Sequence, residues 1–209
     1  IIDEFTSILV RPNWQCEKLE NDDVILKSIN EKKYKIKNIE TSKPNPMLLE
    51  VFNNIFMSIA EQMGIVLENT AQSVTIKERL DFSCAVFDKK GDLIANAPHM
   101  PVHLGSMDAS VKAIILKNKI IKKGDVYALN APYHGGTHLP DITVIKPIFH
   151  PSRDEILFFV AARGHHTDVG GLTPGSMPPD SREIEDEGVY IDNFKLVQNG
   201  NFKKREISD

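Results

Sequence analysis

The sequence predicts an α+β fold: a short β-rich tail over residues 1–42, then, over 46–209, a mixed α/β domain with glycine-rich loops between its strands. Three observations carry this. Before residue 40 the apolar residues fall in short alternating runs, whereas after Pro46 they recur at three- and four-residue steps. From Phe82 onward the apolar runs are short again and end on Gly, Pro or Asp. Eleven of the 12 glycines follow residue 90, which concentrates backbone freedom between those later strands.

The elements follow in order. Thr6–Val10, Val24–Leu26 and Tyr34–Ile36 read as strands separated by polar breaks, with Arg11-Pro12-Asn13-Trp14 closing the first. Pro44 and Pro46 push their preceding residues toward extended backbone, and the boundary between the two segments is placed there. Leu48, Val51, Phe52, Ile55, Phe56, Ile59, Ala60, Met63 and Leu67 then share one face of a helix that starts near Pro46, a stripe expected to be core. Phe82–Phe87 and Leu93–Ile94 flank the turn residues Asp88–Asp92 and predict a hairpin. Helical spacing returns from about Ser106 to Asn118. Strands are expected near Val126–Leu129, Ile142–Phe149 and Ile156–Ala162.

Composition excludes several classes of function. With 41% hydrophobic and 26% charged residues the chain is neither disordered nor low-complexity. Its 25 basic and 29 acidic residues leave a net charge of −4, which gives nucleic-acid binding no support. No apolar stretch approaches a membrane span or a signal sequence, so no membrane partner is expected and the location is read as cytoplasmic. Cys16 and Cys84 match no metal or disulfide spacing and are read as reduced thiols. The chain opens Ile1-Ile2-Asp3-Glu4 without a methionine, which suggests a piece of something longer.

All seven histidines lie between His99 and His166, and six of them fall in three segments: Ala97–His103, Tyr133–Asp141 and Arg163–Gly171. Such segments join strand ends, where a fixed scaffold and glycine turns build sites. His138 followed by Asp141, with His165 or His166 from the other cluster, supplies nitrogen and carboxylate ligands suited to Zn, Mn or Fe. The competing reading is that these histidines and Asp168 cap loops and satisfy backbone groups. Ser83 and Cys84 have no adjacent base, which argues against nucleophilic catalysis. The loop Thr173–Pro179 reads as a rigid lid or a substrate contact, and the acidic run Glu183–Glu187 as a solvated face that could lend a general base. No phosphate-binding glycine motif occurs, so ATP has no site of that kind here.

The strings Phe56–Gly64, Ile76–Ala85, Asn96–Ser106, Gly135–Asp141, Arg163–Gly171 and Pro174–Pro179 resemble the start of the hydantoinase B/5-oxoprolinase family, over about residues 46–209. Ile1–Ser7 with Val10, Pro12 and Trp14 is similar to the closing segment of the hydantoinase A family, the ATP-handling partner. An A-type end joined to a B-type start is the arrangement of the fused ATP-dependent 5-oxoprolinases. The resemblance implies hydrolysis of 5-oxo-L-proline to L-glutamate coupled to conversion of ATP to ADP and phosphate. It implies ATP bound by an upstream half absent from this chain, a cyclic-amide substrate, an A-type half as partner, and a homo-oligomer of the full-length protein.

The same resemblance implies a divalent metal, Mn, Zn, Fe or Mg, held by His138, Asp141 and His165, with His166 and Asp168 as catalytic candidates, one or the other of which orients the third ligand. Asn130-Ala131-Pro132-Tyr133 departs from an Asn-Asp-Pro-Tyr string found in many relatives. The alternatives are an N-methylhydantoinase, a component of an acetone or acetophenone carboxylase, and, in another class, a non-catalytic interface module. On its own the segment is expected to be inactive.

Overall fold

A computed structural model describes residues 9–19, 24–29 and 45–208. The chain divides into two units, Ile1–Pro44 and Asn45–Asp209. In the first, β1 (Trp14–Lys18) pairs antiparallel with β2 (Val24–Ser28), with Cys16 opposite Leu26. Trp14 therefore begins a strand instead of closing a turn; the turn is made by Pro12 and Asn13, the latter at φ 68. Thr6–Ile8 and Tyr34–Ile36 lie outside the described residues, and Leu9 and Val10 form no strand.

The second unit opens with α1 (Pro46–Thr70). Its start follows from local chemistry: Asn45 accepts hydrogen bonds from the Met47 and Leu48 amides, and Pro46 occupies the first turn, where its missing N–H costs nothing. The short α2 (Val74–Lys77) leads into the hairpin β3 (Phe82–Asp88) and β4 (Leu93–Asn96), followed by α3 (Pro101–Lys117). Then come β5 (Val126–Leu129), a single 3-10 turn (Pro132–His134), β6 (Asp141–Phe149), β7 (Ile156–His165), α4 (Ile184–Glu187), β8 (Phe194–Gln198), β9 (Asn201–Phe202) and α5 (Lys204–Ser208). Strands β3 to β9 form one antiparallel sheet in the order β4-β3-β7-β6-β5-β8-β9.

Helices cover both faces of that sheet near β3. Successive side chains of a strand point to opposite faces, and on β3 Phe82 and Cys84 pack with Met63 and Leu67 of α1. Ala85 and Phe87 join Met107, Val111 and Ile114 of α3 on the other face, together with Tyr127, Leu129, Ile145, Phe159 and Ala161. This double coverage explains why β3 is an unbroken buried run.

Two expectations need correction. The α1 stripe is not core throughout: Ala60 is buried, and Met63 and Leu67 pack on β3, but Val51, Phe52 and Ile55 are exposed. Periodicity identifies the apolar face of a helix without saying how much of its length, here ~37 Å, is covered. Helix α3 begins at Pro101, five residues before the expected start, because proline is tolerated in a first turn. That shift moves His103 from a loop onto a helix.

Candidate metal centre

The site grows out of strand register. Asp141 and His165 are cross-strand partners at one end of the β6–β7 ladder, Thr143 and Arg163 form the next same-face pair, and Ile145 and Ala161 the next. On the other edge of β7, Ser83 pairs with Arg163 and Ala85 with Ala161. The backbone amide of His165 donates to the Asp81 carbonyl, so Asp81 extends this pairing by one residue pair. One face of the sheet is thus layered: apolar in the core, then hydroxyl and guanidinium, then imidazole and carboxylate at the edge of the β3–β7–β6 segment.

Arg163 is fully buried and makes the middle layer. Nε donates to Thr143 Oγ1 at 2.7 Å, and the two Nη atoms donate to Ser106 Oγ at 2.6 Å, Ser110 Oγ at 2.7 Å and the His103 carbonyl at 3.3 Å. It therefore stitches β6 and β7 to α3. Burial pushes its pKa down, and the Asp141 charge opposes that shift.

Asp141, 2% exposed, is the hub. Its Oδ1 lies 2.9 Å from His165 Nδ1. Its Oδ2 accepts from the Thr137 hydroxyl at 2.9 Å and lies 3.1 Å from His138 Nδ1. Burial alone would raise its pKa, but the imidazoles of His103, His138 and His165 outweigh that and hold the carboxyl far below the usual range. His138 reaches Asp141 because a tight turn joins them, closed by the Asp141 amide on the His138 carbonyl. Upstream, Gly136 is wedged against strand-end backbone: a Cβ there would stand 2.2 Å from the Asn130 carbonyl oxygen.

The structure brings His138, Asp141 and His165 together: one nitrogen from each histidine and one carboxylate oxygen all lie within 4.8 Å of one another. A cation with bonds of ~2.0–2.2 Å would draw these atoms slightly closer together. The donor set suits a borderline ion, and among the described residues His138 Nε2 is a buried ring nitrogen without a hydrogen-bond partner. These residues fit a metal.

The other expected site residues are placed differently. His166 is anchored by its backbone amide on the Pro140 carbonyl, and its pKa is pushed down by burial and by His165, with Asp141 opposing. Asp168 is exposed and accepts the Gly170 amide at 2.8 Å, which makes it the cap of its own turn, outside the three-residue group. Loop-capping also accounts for His150, which accepts from the Ser152 amide, and a comparable structural role for His99, which accepts from the Cys84 amide. Burial pushes the Cys84 thiol up to about 12, so it holds no thiolate at neutral pH.

Sequence reasoning did not single out Asp81, Thr137 or Arg163, and it noted His103 only as a member of a segment. His103 is 2% exposed and points Nε2 at both Asp81 and Asp141. The signal available was the period-2 match between 141/143/145 and 161/163/165. Among the described residues no helix is long and apolar enough to cross a membrane.

Residues 45–209 match the family described as hydantoinase B/oxoprolinase. Over 208 residues the chain is 47% identical to the 5-oxoprolinase of Dictyostelium discoideum, a match that covers 99% of this chain and 16% of that protein. Among solved structures, the ATP-dependent caprolactamase of Pseudomonas jessenii superposes with a TM-score of 0.69 and 29% identity, over 79% of this chain and 28% of that one. A nucleotide-free acetone carboxylase gives a TM-score of 0.73 at 22% identity over 82% of this chain and 23% of that one, a likeness of fold.

Proposed function

This chain belongs to the hydantoinase B/oxoprolinase family, and from that premise we propose that it is the metal-holding part of an ATP-dependent 5-oxoprolinase. The reaction opens the lactam of 5-oxo-L-proline to L-glutamate, with two waters consumed and ATP released as ADP and phosphate. The single observation that carries the reading is the His138–Asp141–His165 cluster, set at strand ends of a chain 47% identical to a 5-oxoprolinase. The likeness to an ATP-dependent caprolactamase favours a cyclic amide over a ketone as substrate.

A lactam carbonyl is a poor electrophile, and phosphorylation of its oxygen activates the carbon: one water adds there, the ring C–N bond breaks as the nitrogen takes up a proton, and a second water hydrolyses the resulting acyl phosphate to the carboxylate and phosphate. In this proposal ATP is handled by a hydantoinase A-type partner half. The residues of this chain prepare the other side of the reaction. Ionised Asp141 gathers the imidazoles, and the neutral ring of His166 is the candidate base for the attacking water. Asp168 holds the turn that follows His166 through the Gly170 amide. A divalent ion bound here would supply Lewis-acid polarisation of the carbonyl or of the attacking water.

The test is glutamate release from 5-oxoproline by the intact protein, with ATP and a divalent ion, in wild type, His138→Ala and Asp141→Ala. Turnover in the wild type that both substitutions abolish supports the reading. No glutamate from the wild type overturns the substrate, and full activity in both variants overturns the site.

A further inference from the structure

His103 projects from the first turn of α3 with its ring held at both nitrogens. Nε2 lies 3.5 Å from Asp81 Oδ1 and 3.6 Å from Asp141 Oδ2, between two carboxylates that reach it from different strand ends. Nδ1 is 3.5 Å from the Ser83 hydroxyl, whose one proton serves either Nδ1 or the Met100 carbonyl at 3.1 Å; with the ring proton on Nε2, Nδ1 is the acceptor of this pair. The backbone is held too, since Arg163 Nη1 donates to the His103 carbonyl. The ring is buried, its two nitrogens face these groups at 3.5–3.6 Å and its backbone is anchored separately, so its Nε2 edge is presented to both carboxylates.

We propose that His103 is a positioning residue of the cation site: its Nε2–H orients the Asp141 carboxylate, with Asp81 on its other side, so that Asp141 meets His138 and His165 at a fixed angle. The torsion about the terminal bond of an aspartate is broad, and Asp141 must present one oxygen to His165 and the other to His138 at once. Thr137 restrains Oδ2 from the loop side. His103 supplies the restraint from the helix side, through a helix that Arg163 ties to the same two strands. The inference rests on the metal reading above and adds to it a residue that need not touch the ion.

Cobalt(II) alone, titrated into the intact protein and followed by its visible absorption, tests this. Glutamine at 103 places an amide N–H near the position of Nε2, whereas asparagine places it near Nδ1. His103→Gln is therefore expected to bind cobalt within about threefold of wild type with an unshifted band. His103→Asn should bind about 10–100-fold more weakly with an altered band, a contrast that mere space-filling would not produce. Ser83→Ala, which loosens Nδ1 and leaves the carboxylates intact, should weaken binding severalfold. Equal affinity in the Asn and Gln variants overturns the proposal, as does wild-type affinity and spectrum in Ser83→Ala should either fail to fold. A wild type that takes up no cobalt, or a His138→Ala variant that takes it up unchanged, overturns the metal reading itself and this inference with it.

Discussion

Asp141 and His165 stand opposite each other at one end of the β6–β7 ladder, with Oδ1 2.9 Å from Nδ1. Because β-sheet register sets this pairing, its geometry is tied to the sheet more than to any loop. Asp141→Asn keeps the shape and removes the charge. It is expected to lower metal affinity by more than about 100-fold, beyond the loss usual for an outer partner, as measured by zinc or cobalt titration with the fold checked by circular dichroism.

His166→Ala and Asp168→Ala separate the two catalytic candidates. The first should leave metal content unchanged and lower turnover by roughly 100-fold or more, the usual worth of a general base. The second removes an exposed turn cap, at a cost of about 1 kcal/mol in stability, and should keep most activity. Metal analysis, denaturant melts and steady-state rates on both variants check this.

Gly136→Ala should cost upward of about 2 kcal/mol, because its Cβ meets the backbone oxygen of Asn130 at 2.2 Å, where nothing flexible can give way. The turn that delivers His138 would shift with it, so metal affinity should fall as well. Gly105→Ala is the contrast. It lies within α3 with nothing beyond its own stretch of helix within 4 Å of the added Cβ, and it should be neutral or stabilise by up to ~1 kcal/mol. Urea unfolding of the two variants decides.

Asp125 offers a pH test away from the candidate metal centre. It is buried; burial would raise its pKa, but the Asn199 amide, Lys195 at 2.9 Å and the Lys122 amide together hold it below the ordinary value. A depressed folded pKa means its contribution is complete above the unfolded value of ~3.9 and is lost as pH falls through the folded value. Asp125→Asn should therefore flatten the acid side of a plot of Tm against pH. Asp125→Ala, which also strands the two amides and Lys195, should cost about 3 kcal/mol near neutrality.

How much of this was legible in the sequence depends on the range of the interaction. The α1 start at Pro46, the hairpin around Asp88–Asp92 and the strands β5, β6 and β7 follow from local patterns. So does the approach of His138 to Asp141, which three residues and a tight turn bring about. His103 was harder: Pro101 and Gly105 make its segment read as loop, and its partners Asp81 and Asp141 lie 22 and 38 residues away in sequence. Arg163 joins Ser106, Ser110 and Thr143 only through packing of α3 on the sheet. Strand β8, with mixed polar and apolar residues, carries no period strong enough to separate it from a loop.

The two-sided burial of β3 has a kinetic consequence. A strand hydrogen-bonded on both edges and covered on both faces belongs to the last part of a protein to open, so its amides should be the slowest to exchange with solvent deuterium. Asp81 hangs from the start of that strand and His165 from its paired neighbour. His165 is thus moored beside the slowest-exchanging segment, while His138 rides on a turn. Stripping the ion should quicken exchange in the 134–140 turn first and leave the β3 amides at their original rates.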